Sequence, residues 1–352
     1  MSTGQTRPQT LGLFEQRFPG DDSLVRLARR RFLEARMGIE VHAGGSDQLR
    51  QLVALRPWND APIMVHLPRD FDLLEQSTRT RILELASSCA DCAIGLVLHD
   101  QQAMVSRRGE YLQAVRHLDR ELQRANGTRV FIEYAIGLDP ADFVDFFATI
   151  SDLEYLSVCI DIGHVSIRAA RLAYGKKHPG QDLCELKSQS PELPRLMPEL
   201  EEALKAGVAT TFNLIDDLAA LQKPIHFHLH DGHPLSSFSP FGVADHLSFL
   251  AQIPLNFEYR GRRFVPTIFG PTGLEAVLKR AFASLDPARL SCTLEIHPTG
   301  ERLALGDAAE LFQHWTIKTN AECTNHWLAV LARNHALLLQ AIEAALRPAG
   351  PN

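Results

Sequence analysis

The 352-residue sequence predicts an α/β fold, a (β/α)8 barrel of parallel strands with a hairpin inserted after the seventh strand and extra C-terminal helices. Three observations lead there. Short apolar runs rich in Val, Ile and Leu recur, separated by longer segments whose apolar residues fall at i, i+3, i+4 and i+7, the period of helices packed on a core. The runs are continuous and do not alternate with polar residues, as in strands buried on both faces of a parallel sheet. Run and helix alternate eight times, as a (β/α)8 barrel requires. An open doubly wound sheet is the competing arrangement, but no glycine-rich phosphate loop follows the first strand.

The strands are expected at 11–14, 38–42, 62–67, 93–99, 129–135, 156–161, 224–230 and 290–296. Helices are expected at 23–35, 73–86, 111–125, 140–150 and 273–285. Residues 165–223 exceed the minimal plan, with a polar loop at 174–183 and a proline-broken segment after it. Residues 235–272 carry a hairpin over 255–269 that turns at Arg260-Gly261. Both segments follow C-terminal strand ends, where barrel enzymes build their sites, so both are expected to be lid-like. Residues 307–347 read as two helices. The domain plan is thus a barrel over 1–304 and a helical extension over 305–352, packed on the barrel or used in a homo-oligomer contact.

Net charge is −6, so no overall positive field exists to hold nucleic acid or an anionic membrane. A small polar molecule is the expected partner. There is no apolar run of eighteen residues, and the start MSTGQTRPQT lacks the apolar core of a signal peptide. Six scattered cysteines suit reduced thiols, and the expected location is the cytoplasm. Cys89 and Cys92 read as helix-end thiols, because no second pair completes a zinc site.

The informative pattern is where ionisable residues fall. Six consecutive strands each carry one near the C-terminal end: His66, His99, Glu133, Asp161, His228 and Glu295. A single strand-end histidine is more often a capped loop residue than a ligand, and one buried glutamate can pair with an arginine. A buried, unpaired carboxylate costs several kcal/mol. Six such residues converging on one barrel mouth compensate one another most simply by sharing cations. His with carboxylate suits Zn²⁺, Mn²⁺, Fe²⁺ or Mg²⁺, and the lack of cysteine in the set disfavours a structural zinc. His164, three residues after Asp161, is spaced to share its site.

In PIHFHLHDGHP, residues 224–234, His226, His228 and His230 alternate, so in a strand they face one side. Successive inward residues stand about 7 Å apart, so the three cannot all bind one ion. One is a ligand, one lies deeper in the barrel and one sits at the rim. His42, His297 and His314 carry no comparable pattern.

These residues resemble the xylose isomerase-like TIM-barrel superfamily, which joins sugar isomerases and epimerases with endonuclease IV. The resemblance spans about residues 10–300 and rests on LSVCIDIGH, on HLHD, and on Glu133 and Glu295 in the fifth and eighth strands. It implies that His228 is a ligand and Asp231 a supporting residue. In epimerase-like members, residues matching Glu133, Asp161, His228 and Glu295 hold one ion, and the two glutamates act as acid and base. In endonuclease IV-like members there are three zinc ions. His66 and His99 match further ligands there, and Asp245-His246 resembles the Asp-x-His pair that joins His164 on the third ion, although here the two residues are adjacent.

The resulting expectation is a divalent-metal-dependent isomerase or epimerase acting on a small sugar, polyol or sugar phosphate, with Glu133 and Glu295 moving the proton. The alternatives are a multi-zinc phosphoester hydrolase of endonuclease IV type, a multi-iron oxidative enzyme, and a metal-binding barrel without catalysis. Two or more ions per chain are expected, bridged by Glu133. Arg260, Arg262 and Arg263 on the hairpin are candidates to clasp a substrate anion, whereas Arg29-Arg30-Arg31 reads as a solvated helix face.

Overall fold

The computed structural model describes residues 7–14, 21–54, 62–135, 138–186, 190–232, 246, 248–249, 258–259, 262–263, 268–296 and 319–347. Eight parallel strands close a barrel: β1 (Gln9–Phe14), β2 (Gly38–His42), β3 (Ile63–His66), β4 (Ala93–His99), β5 (Arg129–Glu133), β6 (Leu156–Asp161), β7 (Ile225–Leu229) and β10 (Leu290–Leu294). Neighbours follow chain order around the barrel, and β1 closes it against β10, with Leu11 opposite Thr293. The short strands β8 (Glu258–Tyr259) and β9 (Arg262–Arg263) pair antiparallel, which is the expected hairpin.

Side-chain alternation decides what each strand offers. Leu11, Met64, Val97, Phe131 and Cys159 form one buried apolar cluster. Two residues beyond Met64, Val97, Phe131 and Cys159 come His66, His99, Glu133 and Asp161, so each shares its strand face with a core residue. The apolar layer therefore aims the ionisable one.

Helices follow the strands: α1 (Asp22–Glu34), α2 (Ser46–Ala54), α3 (Gln76–Ser88), α4 (Ala103–Ser106), α5 (Arg108–Arg124), α6 (Pro140–Thr149), α7 (Ile162–Lys177), α8 (Leu193–Ala220), α9 (Gly270–Ser284) and α10 (Asn320–Leu346). Several starts are written in the sequence. Asp21 accepts from the Leu24 amide at 3.2 Å, Asp139 precedes Pro140 and accepts from Ala141, and Thr319 with Glu322 makes a capping box for α10.

The chain divides into two compact units. The first contains residues 1–160, 217–228 and 284–294, and with them nearly all of the barrel strands. The second contains residues 161–216, 229–283 and 295–352.

Three expectations change, and a fourth falls partly outside the described residues. Residues 165–223 are largely helical: α7 enters the expected polar loop as far as Lys177, residues 178–182 stay non-helical as expected, and the proline-broken segment is the single helix α8, which carries Pro198 inside it. Of the two helices expected over 307–347, the described residues hold one, α10, and 307–318 lie outside the description. Helix α2 was not anticipated, because its nine residues bury only Leu49 and Leu52. Arg29 is buried and hydrogen-bonds the Leu52 carbonyl, so it leaves the solvated basic face. Arg30 and Arg31 remain on that face, both paired with Glu34. Cys89, Cys92, Cys159 and Cys292 form no disulfide, and Cys89 follows the end of α3. No described helix is long and apolar enough to cross a membrane.

Candidate metal centres

In the first unit, β3, β4 and β5 bring His66, His99 and Glu133 together. Glu133 Oε2 stands 3.4 Å from Nε2 of His66 and 3.4 Å from Nε2 of His99, and those two nitrogens are 3.0 Å apart. Tetrahedral ligands about 2.0–2.1 Å from a zinc ion stand about 3.3–3.4 Å from one another. The three atoms thus approximate one face of a zinc tetrahedron, which leaves a fourth position open. Glu133 Oε2 is buried and accepts no hydrogen bond from the described residues. A carboxylate oxygen in that state is costly unless a cation compensates it, so the residues fit a metal. Burial pushes the Glu133 carboxyl up, but His228, His99 and His66 outweigh it and hold the group well below the usual carboxylate range.

His228 joins the same unit from β7, with Nδ1 3.3 Å from Glu133 Oε1. Its Nε2 turns the other way, to Glu40 Oε1 at 3.1 Å. Glu40, on β2, was missed in the sequence. It is fully buried and also takes His66 Nδ1 at 2.9 Å and His226 Nε2 at 3.3 Å. Burial would raise its pKa, but contact with His228, His226 and His66 holds it well below the usual value. The available signal was an acidic residue inside the apolar run GIEVH. His226 is the deep histidine of the three, tied to Ser291 Oγ at 2.7 Å and with its pKa lowered by burial. His42 lies opposite His66 in the sheet, with ring centroids 4.7 Å apart.

The second unit holds another group. Asp161 caps α7 by accepting from the His164 amide at 2.8 Å, and its Oδ2 is 3.4 Å from His164 Nε2. His230 Nε2 meets Asp161 Oδ1 at 2.8 Å, and the His230 ring stacks on His246 with centroids 4.2 Å apart. Asp161, His164, His230 and His246 each offer one ligand atom, and these atoms lie within 4.8 Å of one another. Asp161 Oδ2 is buried and accepts no hydrogen bond from the described residues. His246 Nε2 also stands 3.4 Å from Glu295 Oε1. Burial works against a charged His230, yet Asp161 and Glu295 push its pKa up to about 9. His230 thus joins a group that could hold a metal ion, a placement that the strand pattern alone did not show.

The predicted residues thus divide between the units: His66, His99, Glu133 and His228 in the first, Asp161, His164, His246 and Glu295 in the second. Asp231 accepts from the backbone amides of Gly232 at 2.9 Å, Phe269 at 2.9 Å and Gly270 at 2.7 Å, and so holds the start of α9. Asp245 and Arg260 lie outside the described residues, as do His297 and His314, whereas Arg262 and Arg263 make up β9. A cavity of about 630 Å³ lies at the N-terminal ends of the barrel strands, lined by Arg129, Lys223, Arg289 and Ser291 among others. It contains none of the predicted site residues, and its buried Lys223 donates to the carbonyls of Ile150, Ser151 and Leu153.

No family model and no curated protein matches the chain. Among solved structures, one described as AsfvAP:AG is 12% identical with a TM-score of 0.47, covering 97% of this chain and 100% of its own. A xylose isomerase domain protein from Planctomyces limnophilus is 12% identical with a TM-score of 0.44, covering 95% of this chain and 99% of its own.

Proposed function

We propose that the chain is a divalent-metal-dependent enzyme that holds two or more ions and acts on a small polar substrate by hydrolysing a phosphoester. The observation that carries this reading is the His66–His99–Glu133 triangle, whose edges of 3.0–3.4 Å match a ligand set. A single-ion proton-transfer site has no use for His66 and His99. Bound ions would act as Lewis acids, lowering the pKa of water and polarising an oxygen of the substrate.

The chain's own groups do the rest. Glu133 stays ionised between His66, His99 and His228 and supplies the charge that a cation needs. His66, His99 and Glu133 would hold one ion in the first unit, with His228 as a further proposed ligand beside Glu133. Asp161, His164, His230 and His246 would hold another in the second, with Asp245 and Glu295 as further proposed ligands. The nitrogen-rich donor sets favour zinc, manganese or iron over magnesium. A net charge of −6 argues for a small phosphorylated molecule over a duplex, with Arg260, Arg262 and Arg263 proposed to clasp its anionic group.

A second reading, isomerisation or epimerisation of a sugar, polyol or sugar phosphate, draws on one observation. Glu133 Oε2 accepts no hydrogen bond from the described residues, which leaves its lone pairs open to a substrate proton, although the histidines that lower its pKa also weaken it as a base. Glu295 would then be its partner in proton transfer.

Elemental analysis of wild type and of a His66→Ala/His99→Ala variant, both purified without chelator, tests the multi-ion reading. At least two ions in wild type and one fewer in the variant are expected. One ion in both, with activity retained, would sink it. Assays on small phosphomonoesters and phosphodiesters, on abasic DNA strands, and for solvent deuterium entering a sugar carbon then separate the chemistries. Deuterium entry without phosphate release would establish the second reading.

A further inference from the structure

We propose that Glu40 is a positioning residue that fixes the tautomers of His66 and His228, so that each imidazole turns its lone-pair nitrogen toward Glu133. The proposal rests on the metal-binding reading above and adds to it the group that orients the ligands. Glu40 comes from β2, a strand that contributed no residue to the expected site.

The geometry is specific. Glu40 Oε1 lies 2.9 Å from His66 Nδ1 and 3.1 Å from His228 Nε2. A carboxylate oxygen accepts, so each of these nitrogens carries a proton, and in the neutral ring that ligation requires it is the only one. The remaining nitrogens are then lone-pair donors, and both face Glu133: His66 Nε2 is 3.4 Å from Oε2, and His228 Nδ1 is 3.3 Å from Oε1. One carboxylate thus selects opposite tautomers on two histidines. The choice follows from depth, since His228 reaches Glu40 with the far end of its ring and His66 with the near end. The other oxygen, Oε2, lies 3.3 Å from His226 Nε2, and His226 Nδ1 is held at 2.7 Å by Ser291. Glu40 is therefore anchored from below by His226, which Ser291 holds in place.

Long-range proton–nitrogen NMR on zinc-free protein, at a pH high enough that both rings are neutral, reads the tautomers directly, and chelator competition reads zinc affinity. We expect His66 protonated at Nδ1 and His228 at Nε2 in wild type. Glu40→Gln should lose this fixed pair and bind zinc about 10- to 100-fold more weakly. Glu40→Asp, which keeps the charge, should recover part of both. His66 protonated at Nε2 or His228 at Nδ1 in wild type, or unchanged tautomers and zinc affinity in a folded Glu40→Gln, would overturn the proposal and leave the metal reading standing. Wild type that shows the expected tautomers but takes up no zinc would instead overturn the metal reading, and the proposal with it. Should Glu40→Gln not fold, the wild-type spectrum and Glu40→Asp decide the matter.

Discussion

Gly163 makes room for His230: a Cβ built on Gly163 would stand 1.9 Å from Cε1 of the His230 ring. Gly163 is the second residue of α7, directly above its cap Asp161, and His230 Nε2 bonds that same aspartate at 2.8 Å. The helix start and the imidazole occupy one crowded corner, and only a residue without a side chain fits between them.

Gly163→Ala is accordingly expected to destabilise the protein. Helix propensity favours alanine by about 1 kcal/mol in a helix interior, and less in a first turn. Overpacking of a filled site costs about 1–3 kcal/mol, and the clash here is with a ring held on both sides. The clash should win, lowering the melting temperature and removing metal from the Asp161 group. An unchanged melting temperature together with full metal content would show that His230 has another place to go.

Glu133→Gln should reduce metal content sharply while the barrel stays folded, because a neutral amide cannot replace the charge between His66, His99 and His228. Glu295→Gln should weaken the second group, where Glu295 lies 3.4 Å from His246. Atomic absorption on each variant, with circular dichroism as the fold control, checks both. Full metal content in either would remove that glutamate from the ligand set.

Metal uptake at the second group should depend on pH with a definite sign. His230 is raised from 6.5 to about 9, chiefly by Asp161 against the cost of burial. In metal-free protein the protonated ring therefore contributes stability that is fully present below pH 6.5 and is lost as the pH rises through about 9. An ion needs the neutral ring, so it competes with that proton. Apparent affinity should climb by up to about tenfold per pH unit for this one proton until the pH reaches its pKa. Chelator competition across that range should show the climb, and a flat profile would exclude His230 as a ligand.

Neutralising Arg260, Arg262 and Arg263 together should raise KM for phosphorylated or acidic substrates and leave neutral ones nearly unchanged, since the lost contribution is uniform binding of an anion. Equal effects on both substrate types would reduce the hairpin to a steric element.

The barrel was legible because its determinants are local. A continuous apolar run says that both faces of a strand are buried, and the 3.6-residue period marks the covering helices. Strands 38–42, 93–99 and 156–161 appear with the ends read from the sequence, and each ends on an ionisable residue, His42, His99 or Asp161. His66, His99 and Glu133 were legible for the same reason, each two positions beyond a core residue on the same face. Less visible was α8, because Pro198 reads as a break unless packing carries the helix through it.

What tertiary structure alone decided is partnership. Glu40 looked like an acidic residue within a strand, and its meaning depends on His226 and His228, which lie 186 and 188 residues away and reach it only when the barrel closes. His226, His228 and His230 alternate identically in the sequence, yet the first two meet Glu40 and the third meets Asp161. Alternation states which side a residue faces. How far along the strand the opposing groups stand is set by register and by where β7 ends at Leu229, and those follow from hydrogen bonding to strands distant in the chain.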